Sequence, residues 1–220
     1  MDVLETIKTR RSIRKYTEEP VSWDDIGTII DAGKSAPSAG NLQNWKFLVV
    51  KNEAKRKAIA EACLQQYWMA SAPVHILVVA VPRKAVQFYG IRGERLYSIQ
   101  NCAAACQNII LAAHQLNLGT CWVGAFDENA LKRACGISDE GRAQAIITVG
   151  HPAEEPPEPT HLTMETVVYL ENWGSKIKDM NAVIGLFGEK LHYRLGEALD
   201  IATGAAKKGI AKLKERFGKK

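Results

Sequence analysis

The chain has 220 residues, of which 46% are hydrophobic, and a formal net charge of +5, which fits one large globular domain or two small ones. It has no apolar run of the ~18 residues that a membrane span requires, and its first residues lack the hydrophobic stretch of a signal peptide, so the sequence predicts a cytoplasmic protein. Five scattered cysteines without a Cys-x-x-Cys pair argue against a disulfide framework, a zinc site or an iron–sulfur cluster.

The basic charge is concentrated at the end of the chain. Residues 207–220 contain seven lysines and arginines against one glutamate. The net positive charge of this segment therefore exceeds the +5 of the whole protein. This distribution predicts no nucleic-acid-binding surface. Upstream of it, apolar residues recur at helical spacing, at Ile184, Phe187, Leu191, Leu195 and Ala198. The pattern favours a helix that packs across a dimer with a solvated basic end; the alternative is membrane contact through residues 181–220.

Residues 10–16 form a basic segment with the sequence Arg-Arg-Ser-Ile-Arg-Lys-Tyr. In an extended chain the side chains alternate between two faces, so Arg10, Ser12 and Arg14 would share one face and the residues between them the other. Guanidinium groups donate paired hydrogen bonds to phosphate oxygens. The basic segment therefore predicts a phosphate site, against the alternative of a solvated basic patch.

Two helices are predicted around the basic segment. The first begins after the cap residue Asp2 and runs through Lys8. The second begins at a capping box formed by Ser22 and Asp25. Its inner face carries the apolar and small residues Ile26, Ile29, Ile30 and Gly33.

The following residues predict a loop, two strands and a helix. The loop at 35–45 contains glycine, proline and three side-chain amides, which is typical of a segment that approaches a ligand. A strand follows at 45–50, and a helix at 53–66. The almost continuous apolar run at 75–81 predicts a central strand that is covered on both faces. Residues 82–93 predict an irregular, flexible segment.

The second half continues the mixed pattern. A helix at 96–116 is small and apolar nearly all round, so it is predicted to be buried. Gly119 is its predicted left-handed cap. Residues 120–126 predict a short strand or turn, whose glycine marks close approach of the backbone to a ligand. A further helix begins after Asp127, and a strand follows at 143–149.

Four motifs resemble, in their order and spacing, the nitroreductase family of flavin enzymes. They are the basic segment, residues 36–45, residues 107–113 and residues 118–126. The resemblance implies an α+β fold with a mixed sheet flanked by helices, and an intertwined homodimer that holds two FMN molecules at its interface. Residues 1–173 would form this FMN-binding domain, and residues 174–220 a C-terminal helical extension with the basic tail.

The resemblance also implies three groups of FMN ligands. The phosphate and ribityl chain would be held by Arg10, Arg11, Ser12 and Arg14. One side of the flavin would be covered by residues of the partner subunit, namely Pro37, Ser38, Ala39 and Asn41. The other side would be covered by Val123, Gly124 and Ala125, with a backbone amide near flavin N5. Lys15 or Arg11 would stabilise the reduced flavin at its N1–C2=O edge.

Three positions depart from the family pattern. Asn44 stands where the family usually has proline, and Asn101 stands where an aspartate is common. A late arginine that commonly reaches the phosphate has no counterpart near 159–162, where His161 is the nearest basic residue.

The resemblance implies that NADH or NADPH passes hydride to the flavin, and that a small-molecule acceptor such as a nitroaromatic or quinone then takes it. The chain lacks a Gly-x-Gly-x-x-Gly motif, so no separate dinucleotide-binding domain is expected, and no catalytic side-chain constellation or metal site is predicted. Two alternatives remain open. One is a dehalogenase or dehydrogenase reaction on the same fold, decided by pocket segments around Tyr67, Trp68 and 82–93. The other is a flavin-binding or membrane-associated module that acts through the basic amphipathic tail.

Overall fold

The computed structural model describes residues 2–177, which form seven α-helices and four β-strands. The helices are α1 (Val3–Thr9), α2 (Trp23–Lys34), α3 (Glu53–Ala62), α4 (Arg83–Arg92), α5 (Ser98–Gln115), α6 (Glu128–Cys135) and α7 (Met164–Val167). The strands are β1 (Trp45–Val50), β2 (Val74–Ala80), β3 (Gly119–Val123) and β4 (Arg142–Gly150). The predicted α+β class is confirmed, while the predicted dimer stays a prediction.

The four strands form one antiparallel sheet in the order β1-β2-β4-β3. All seven side chains of β2 are buried, as its apolar sequence predicted. β1 and β3 are the two edges of this sheet. The strand pairing brings Trp45, Ala80, Arg142 and Val123 to the same end of the sheet. The segments that precede β1 and follow β3 therefore lie at one end, on opposite edges.

Helices cover both faces of the sheet, which explains why β2 is apolar throughout. On one face, Ile76 and Val78 pack with Ile29 of α2 and Ile109 of α5. On the other face, Leu77 and its neighbours pack against α3 and α6 through a cluster that includes Ile59, Leu131 and Ile146. α5 is the long helix that was predicted to be buried, and eight of its residues are buried.

Local signals set the helix starts as the sequence predicted. The side chains of Asp2 and Asp127 accept hydrogen bonds from the first turns of α1 and α6. Ser22 Oγ accepts from the Asp25 N–H at 3.0 Å and donates to the Asp25 carboxylate at 2.7 Å. The predicted capping pair at the start of α2 is therefore confirmed.

Three predicted elements are corrected. Most of residues 82–93, expected to be irregular, form α4 (Arg83–Arg92), which is interrupted by a positive φ of 55° at Gly90. The helix expected to reach residue 66 ends at Ala62, because Leu64 and the residue after it adopt left-handed backbone angles. The left-handed residue after α5 is Asn117, with φ of 60°, and Gly119 is instead the first residue of β3.

The chain divides into a compact unit that ends at Glu158 and a second that begins at Pro159. Within the described part of the second unit, Tyr169 pairs with Lys176, and its ring meets that of Trp173 edge-on at 5.2 Å between centroids. The predicted boundary between residues 173 and 174 stays a prediction. The predicted tail helix and membrane contact over 181–220 lie outside the described residues. None of the described helices is long and apolar enough to cross a membrane.

Candidate functional site

The basic segment, residues 10–16, runs alongside the edge strand β3. Ser12 forms a parallel bridge with Thr120, and the Ile13 N–H donates to the Thr120 carbonyl at 2.9 Å. Ile13 and Tyr16 are buried. A β-carbon at Gly119 would lie 2.9 Å from the Ile13 side chain. Gly119 therefore lets the two segments approach closely, which is a packing requirement rather than the predicted helix cap.

Three of the four predicted phosphate ligands lie near one side chain of β3. Arg10, Ser12 and Arg14 all act on the thiol of Cys121 in β3. Burial raises the pKa of that thiol, while the charge of Arg14, a hydrogen bond with Ser12 and the charge of Arg10 oppose the rise. Within residues 2–177, neither the Arg10 nor the Arg14 guanidinium pairs with a carboxylate. Their donors are thus available to an anion.

Arg11 makes contacts that differ from those of Arg10, Ser12 and Arg14. Its guanidinium donates to the carbonyl of Lys8 at 2.8 Å and to that of Arg10 at 3.2 Å, at the end of α1. With Ile13 and His114 it lines a separate cleft of about 420 Å³. Arg10 and Arg11 both act on the imidazole of His114, so Arg11 stays close to Arg10, and its role as a ligand stays a prediction.

Side chains far away in the sequence hold the basic segment in place. The Glu154 carboxylate accepts hydrogen bonds from the N–H groups of Arg14 at 2.6 Å and Lys15 at 3.1 Å. The Tyr16 hydroxyl donates to the Ile13 carbonyl at 2.5 Å and lies 2.7 Å from Thr148 Oγ1. Burial raises the pKa of Tyr16, so this hydroxyl stays protonated. Neither Glu154 nor Thr148 lies in a motif that marks it as a support, because each is more than 130 positions away from the basic segment.

Arg14 has one further neighbour, Trp68. The centre of the guanidinium lies 5.9 Å from the centroid of the Trp68 ring, within the range of a cation–π interaction. Trp68 is partly buried beside Ile13 and Tyr16. This contact favours positions of the Arg14 side chain over the Trp68 ring.

The turn at Val123–Ala125 follows directly from β3. Val123 is buried, whereas Gly124 and Ala125 are exposed. Gln66 Nε2 donates to the Ala125 carbonyl at 3.3 Å and to the Cys63 carbonyl at 3.0 Å. Val123 is three residues beyond Thr120, which corresponds to about 10 Å along the strand. The basic segment and this turn are therefore neighbours on one edge of the sheet.

The loop at 37–41 lies just before β1. Pro37 and Asn41 are exposed, and Ser38 and Ala39 are half-buried. The backbone is left-handed at both Gly40 and Asn41, with φ of 57° and 54°. Ser38 Oγ accepts from the Gln43 N–H at 3.0 Å, and the Ala39 N–H donates to Asn101 Oδ1 at 2.9 Å.

The 37–41 loop and the basic segment are not brought together within one copy of the chain. β1 and β3 are the opposite edges of the four-stranded sheet, so three strand spacings, roughly 14 Å, separate them. The three predicted groups of ligands thus form two sets. The basic segment and the 123–125 turn make one set, and the 37–41 loop is the other.

Other reactive side chains take structural positions. Cys102 and Cys106 are buried in α5, where burial raises each thiol pKa to about 12. Among the described residues, no group of three or more His, Cys, Asp or Glu is arranged to bind a metal ion. His75 is fully buried and bonded to the Met69 carbonyl, and His114 lies 2.9 Å from Thr9 Oγ1.

Comparison with known proteins identifies the family. The model of the nitroreductase family matches residues 7–72 and 63–151. A Methanothermobacter thermautotrophicus protein, provisionally named NADH dehydrogenase/NAD(P)H nitroreductase, is 36% identical over 179 residues, covering 79% of this chain and 88% of the relative. The Bacillus subtilis FMN reductase [NAD(P)H] is 28% identical over 185 residues, covering 78% of this chain and 74% of the relative.

A solved structure gives the same result. A nitroreductase family protein from Clostridium novyi superposes with a TM-score of 0.65 at 30% identity, covering 82% of this chain and 99% of the other. The family resemblance read from the four motifs is confirmed, whereas the roles of the individual predicted ligands stay predictions. The chain belongs to the nitroreductase family.

Proposed function

We propose that the protein is an FMN-dependent oxidoreductase that uses NADH or NADPH to reduce a small-molecule acceptor such as a nitroaromatic or a quinone. Membership of the nitroreductase family and the FMN reductase among the relatives support this class of enzyme. The structural observation that carries the proposal is the face formed by Arg10, Ser12 and Arg14, with two guanidinium groups that no carboxylate within residues 2–177 neutralises.

The residues present fit FMN. A phosphate monoester needs charged and neutral donors on one side, and Arg10, Ser12 and Arg14 supply both kinds. The exposed Gly124 would let a flat ring approach the backbone closely, because glycine has no side chain to hold it away. When bound, FMN would supply reversible two-electron chemistry, which the side chains of this site do not provide.

The chain's own residues would bind and orient the cofactor. Arg14, held against Trp68 and fixed through its backbone by Glu154, would present its guanidinium to the phosphate in a narrow range of positions. Gln66, through the Ala125 carbonyl, would fix the peptide groups of the 123–125 turn. Preorganised donors of this kind bind a ligand more tightly because less freedom is lost on binding.

A homodimer follows from the same proposal. The 37–41 loop lies at the sheet edge opposite the basic segment, so a loop that covers the flavin would have to come from a second copy of the chain. Pro37, Ser38, Ala39 and Asn41 of that copy would then complete the site. This arrangement also makes FMN binding depend on dimer formation.

An absorbance spectrum of the purified full-length protein tests the proposal. We expect a yellow protein that releases FMN on denaturation and that bleaches when NADH or NADPH is added without oxygen. Adding a nitroaromatic or a quinone should restore the colour. Colourless protein that takes up no FMN on titration would reject the function, and so would FMN-loaded protein that neither nicotinamide reduces.

A further inference from the structure

A chain of buried hydrogen bonds ends on the backbone of the 37–41 loop. The Ala39 N–H donates to Asn101 Oδ1 at 2.9 Å, and Asn101 Nδ2 donates to Asn44 Oδ1 at 2.8 Å. Asn44 Nδ2 donates to Ser98 Oγ at 2.8 Å, and that hydroxyl donates to the Gly93 carbonyl at 2.7 Å. We call Asn44, Ser98 and Asn101 the amide relay.

The amide relay is buried and has a single direction. Asn44, Ser98 and Asn101 are 6%, 1% and 4% exposed. Each amide uses its oxygen for one partner and its nitrogen for the next, so turning over one amide alone would place two N–H donors against each other. A buried polar group that loses its partner is costly. The relay therefore fixes the position of Asn101 Oδ1, and through it the Ala39 N–H.

The loop needs this support because its own backbone is unfavourable. Asn41 and Gln43 both have a left-handed φ, of 54° and 46°, and this conformation is uncommon for a residue such as Gln43. A second contact lies on the other side, where a β-carbon at Gly40 would lie 2.5 Å from the Tyr89 hydroxyl. The loop is thus held between α4 and the start of α5.

The far end of the amide relay is a π-helical turn at Gly93–Tyr97. Gly93 packs so closely on α4 that a β-carbon there would lie 2.0 Å from the Ala85 carbonyl oxygen. The Ser98 N–H also donates to the Gly93 carbonyl. The relay thus connects the 37–41 loop to a tightly packed part of the fold, and π-helical turns are frequent at functional sites.

We propose that Asn44, Ser98 and Asn101 are positioning residues that hold the 37–41 loop in the conformation with which it covers FMN, an inference that rests on the proposed function. None of the three needs to touch the cofactor. Their effect passes through the Ala39 N–H to the backbone of the loop. Removing the relay should therefore loosen the loop and weaken FMN binding, without altering the basic segment.

The test compares three full-length variants with the wild type. Asn101→Leu removes both the acceptor for Ala39 and the donor to Asn44. Asn101→Asp keeps an acceptor for Ala39, and Asn44 can turn its amide to donate to the new carboxylate while the Ser98 hydroxyl donates to Asn44. Asn108→Leu is the control, because Asn108 also lies in α5 but is half-buried and donates to the Ala32 carbonyl at 3.0 Å instead of joining the relay.

Two readouts are measured on each protein: hydrogen exchange of the Ala39 amide without FMN, and the FMN dissociation constant. For Asn101→Leu we expect both to rise by roughly tenfold, the effect of losing one well-formed buried hydrogen bond. Asn101→Asp should restore both to within about threefold of the wild type. Asn108→Leu should unfold at a lower temperature yet leave both unchanged.

The outcomes separate the inference from the proposed function. Wild-type protein that binds no FMN rejects the proposed function and with it the cofactor-related part of the inference, while Ala39 exchange still decides whether the relay holds the loop. Wild-type protein that binds FMN, with Asn101→Leu binding it equally well, overturns the inference alone. If Asn101→Leu does not fold, Ser98→Ala, which removes only the hydroxyl, replaces it. If Ser98→Ala shows the same Ala39 exchange and the same FMN affinity as the wild type, the inference is likewise overturned.

Discussion

The basic segment and the 37–41 loop are held in place by different means. The basic segment pairs with β3 through its backbone, and Glu154 and Tyr16 fasten it at two further points. The 37–41 loop pairs with no strand and depends on the amide relay and on contact with Tyr89. The first region presents charge from a rigid backbone, whereas the second presents uncharged backbone that is held by side chains. Substitutions in the basic segment should remove contacts to the cofactor directly. Substitutions that affect the 37–41 loop should instead weaken binding by making the loop less ordered.

The largest expected effect is an acid-induced loss of stability on the side of the basic segment. His75 is buried and bonded to the Met69 carbonyl at 2.8 Å. Burial lowers its pKa from 6.5 to about 4. The unfolded chain would bind a proton near pH 6.5 and the folded chain only near pH 4. Stability is therefore complete above pH 6.5 and falls as the pH drops to 4, by about 3 kcal/mol in all.

This prediction is checked by unfolding in denaturant between pH 4 and pH 7. His75→Leu should be less stable at neutral pH. Its free energy of unfolding should also depend less on pH, because the contribution of this imidazole is gone. Because Met69 and Trp68 lie in the same short turn, Tyr67–Ser71, acid should loosen the support under Arg14 before it affects the 37–41 loop. An unchanged slope in His75→Leu would contradict the assignment.

A methyl group at Gly119 should disturb the basic segment alone. In Gly119→Ala the new atom would meet the Ile13 side chain at 2.9 Å, and overpacking of this kind costs about 1–3 kcal/mol of stability. We expect weaker FMN binding as well, since Ser12 is the next residue along the basic segment. Gly27→Ala is the control, because a β-carbon at Gly27 meets no atom within 4 Å. Equal stability and equal FMN affinity of the two variants would show that the basic segment is not held by this contact.

A methyl group at Gly40 is the corresponding change in the other region. Its φ of +57° makes alanine unfavourable by about 1 kcal/mol, and the Tyr89 hydroxyl would have to move. Gly136→Ala is the matched control, since its φ is +67° but it has open space around it. Both variants should lose similar stability, measured by denaturant unfolding, while only Gly40→Ala should bind FMN more weakly. If both bind FMN equally well, the conformation of the 37–41 loop does not matter for the cofactor.

Patterns that depend on neighbouring residues were predictable from the sequence. The bounds of β1, the burial of β2 and the alternation of Arg10, Ser12 and Arg14 all follow from side-chain periodicity. The helix α4 was not predictable in this way, because the glycines at its end and the proline at its start are typical of loops. This helix is stabilised instead by its packing on Gly93.

Contacts between distant residues were beyond a single sequence. Glu154 bonds the basic segment across 140 positions, and Asn101 bonds Asn44 across 57 positions. Asn44 and Asn101 were each noticed as departures from the family pattern, yet nothing in the sequence says that they contact one another. The structure shows that these two residues are joined by one hydrogen bond. Only the fold brings such partners together.

The central claim is that Arg10, Ser12 and Arg14 bind the phosphate of FMN. Riboflavin lacks that phosphate, so the ratio of riboflavin to FMN dissociation constants isolates the contribution of these three residues. The direct measurement is a titration of both flavins into the wild type, Arg14→Ala and Arg133→Ala, the last removing an exposed arginine of α6 as a control. We predict that the wild type prefers FMN. We also predict that Arg14→Ala loses about 1.5–3 kcal/mol of FMN binding but little riboflavin binding, and that Arg133→Ala changes neither. A wild type without preference for FMN, or an Arg14→Ala variant that keeps the full preference, would contradict the claim.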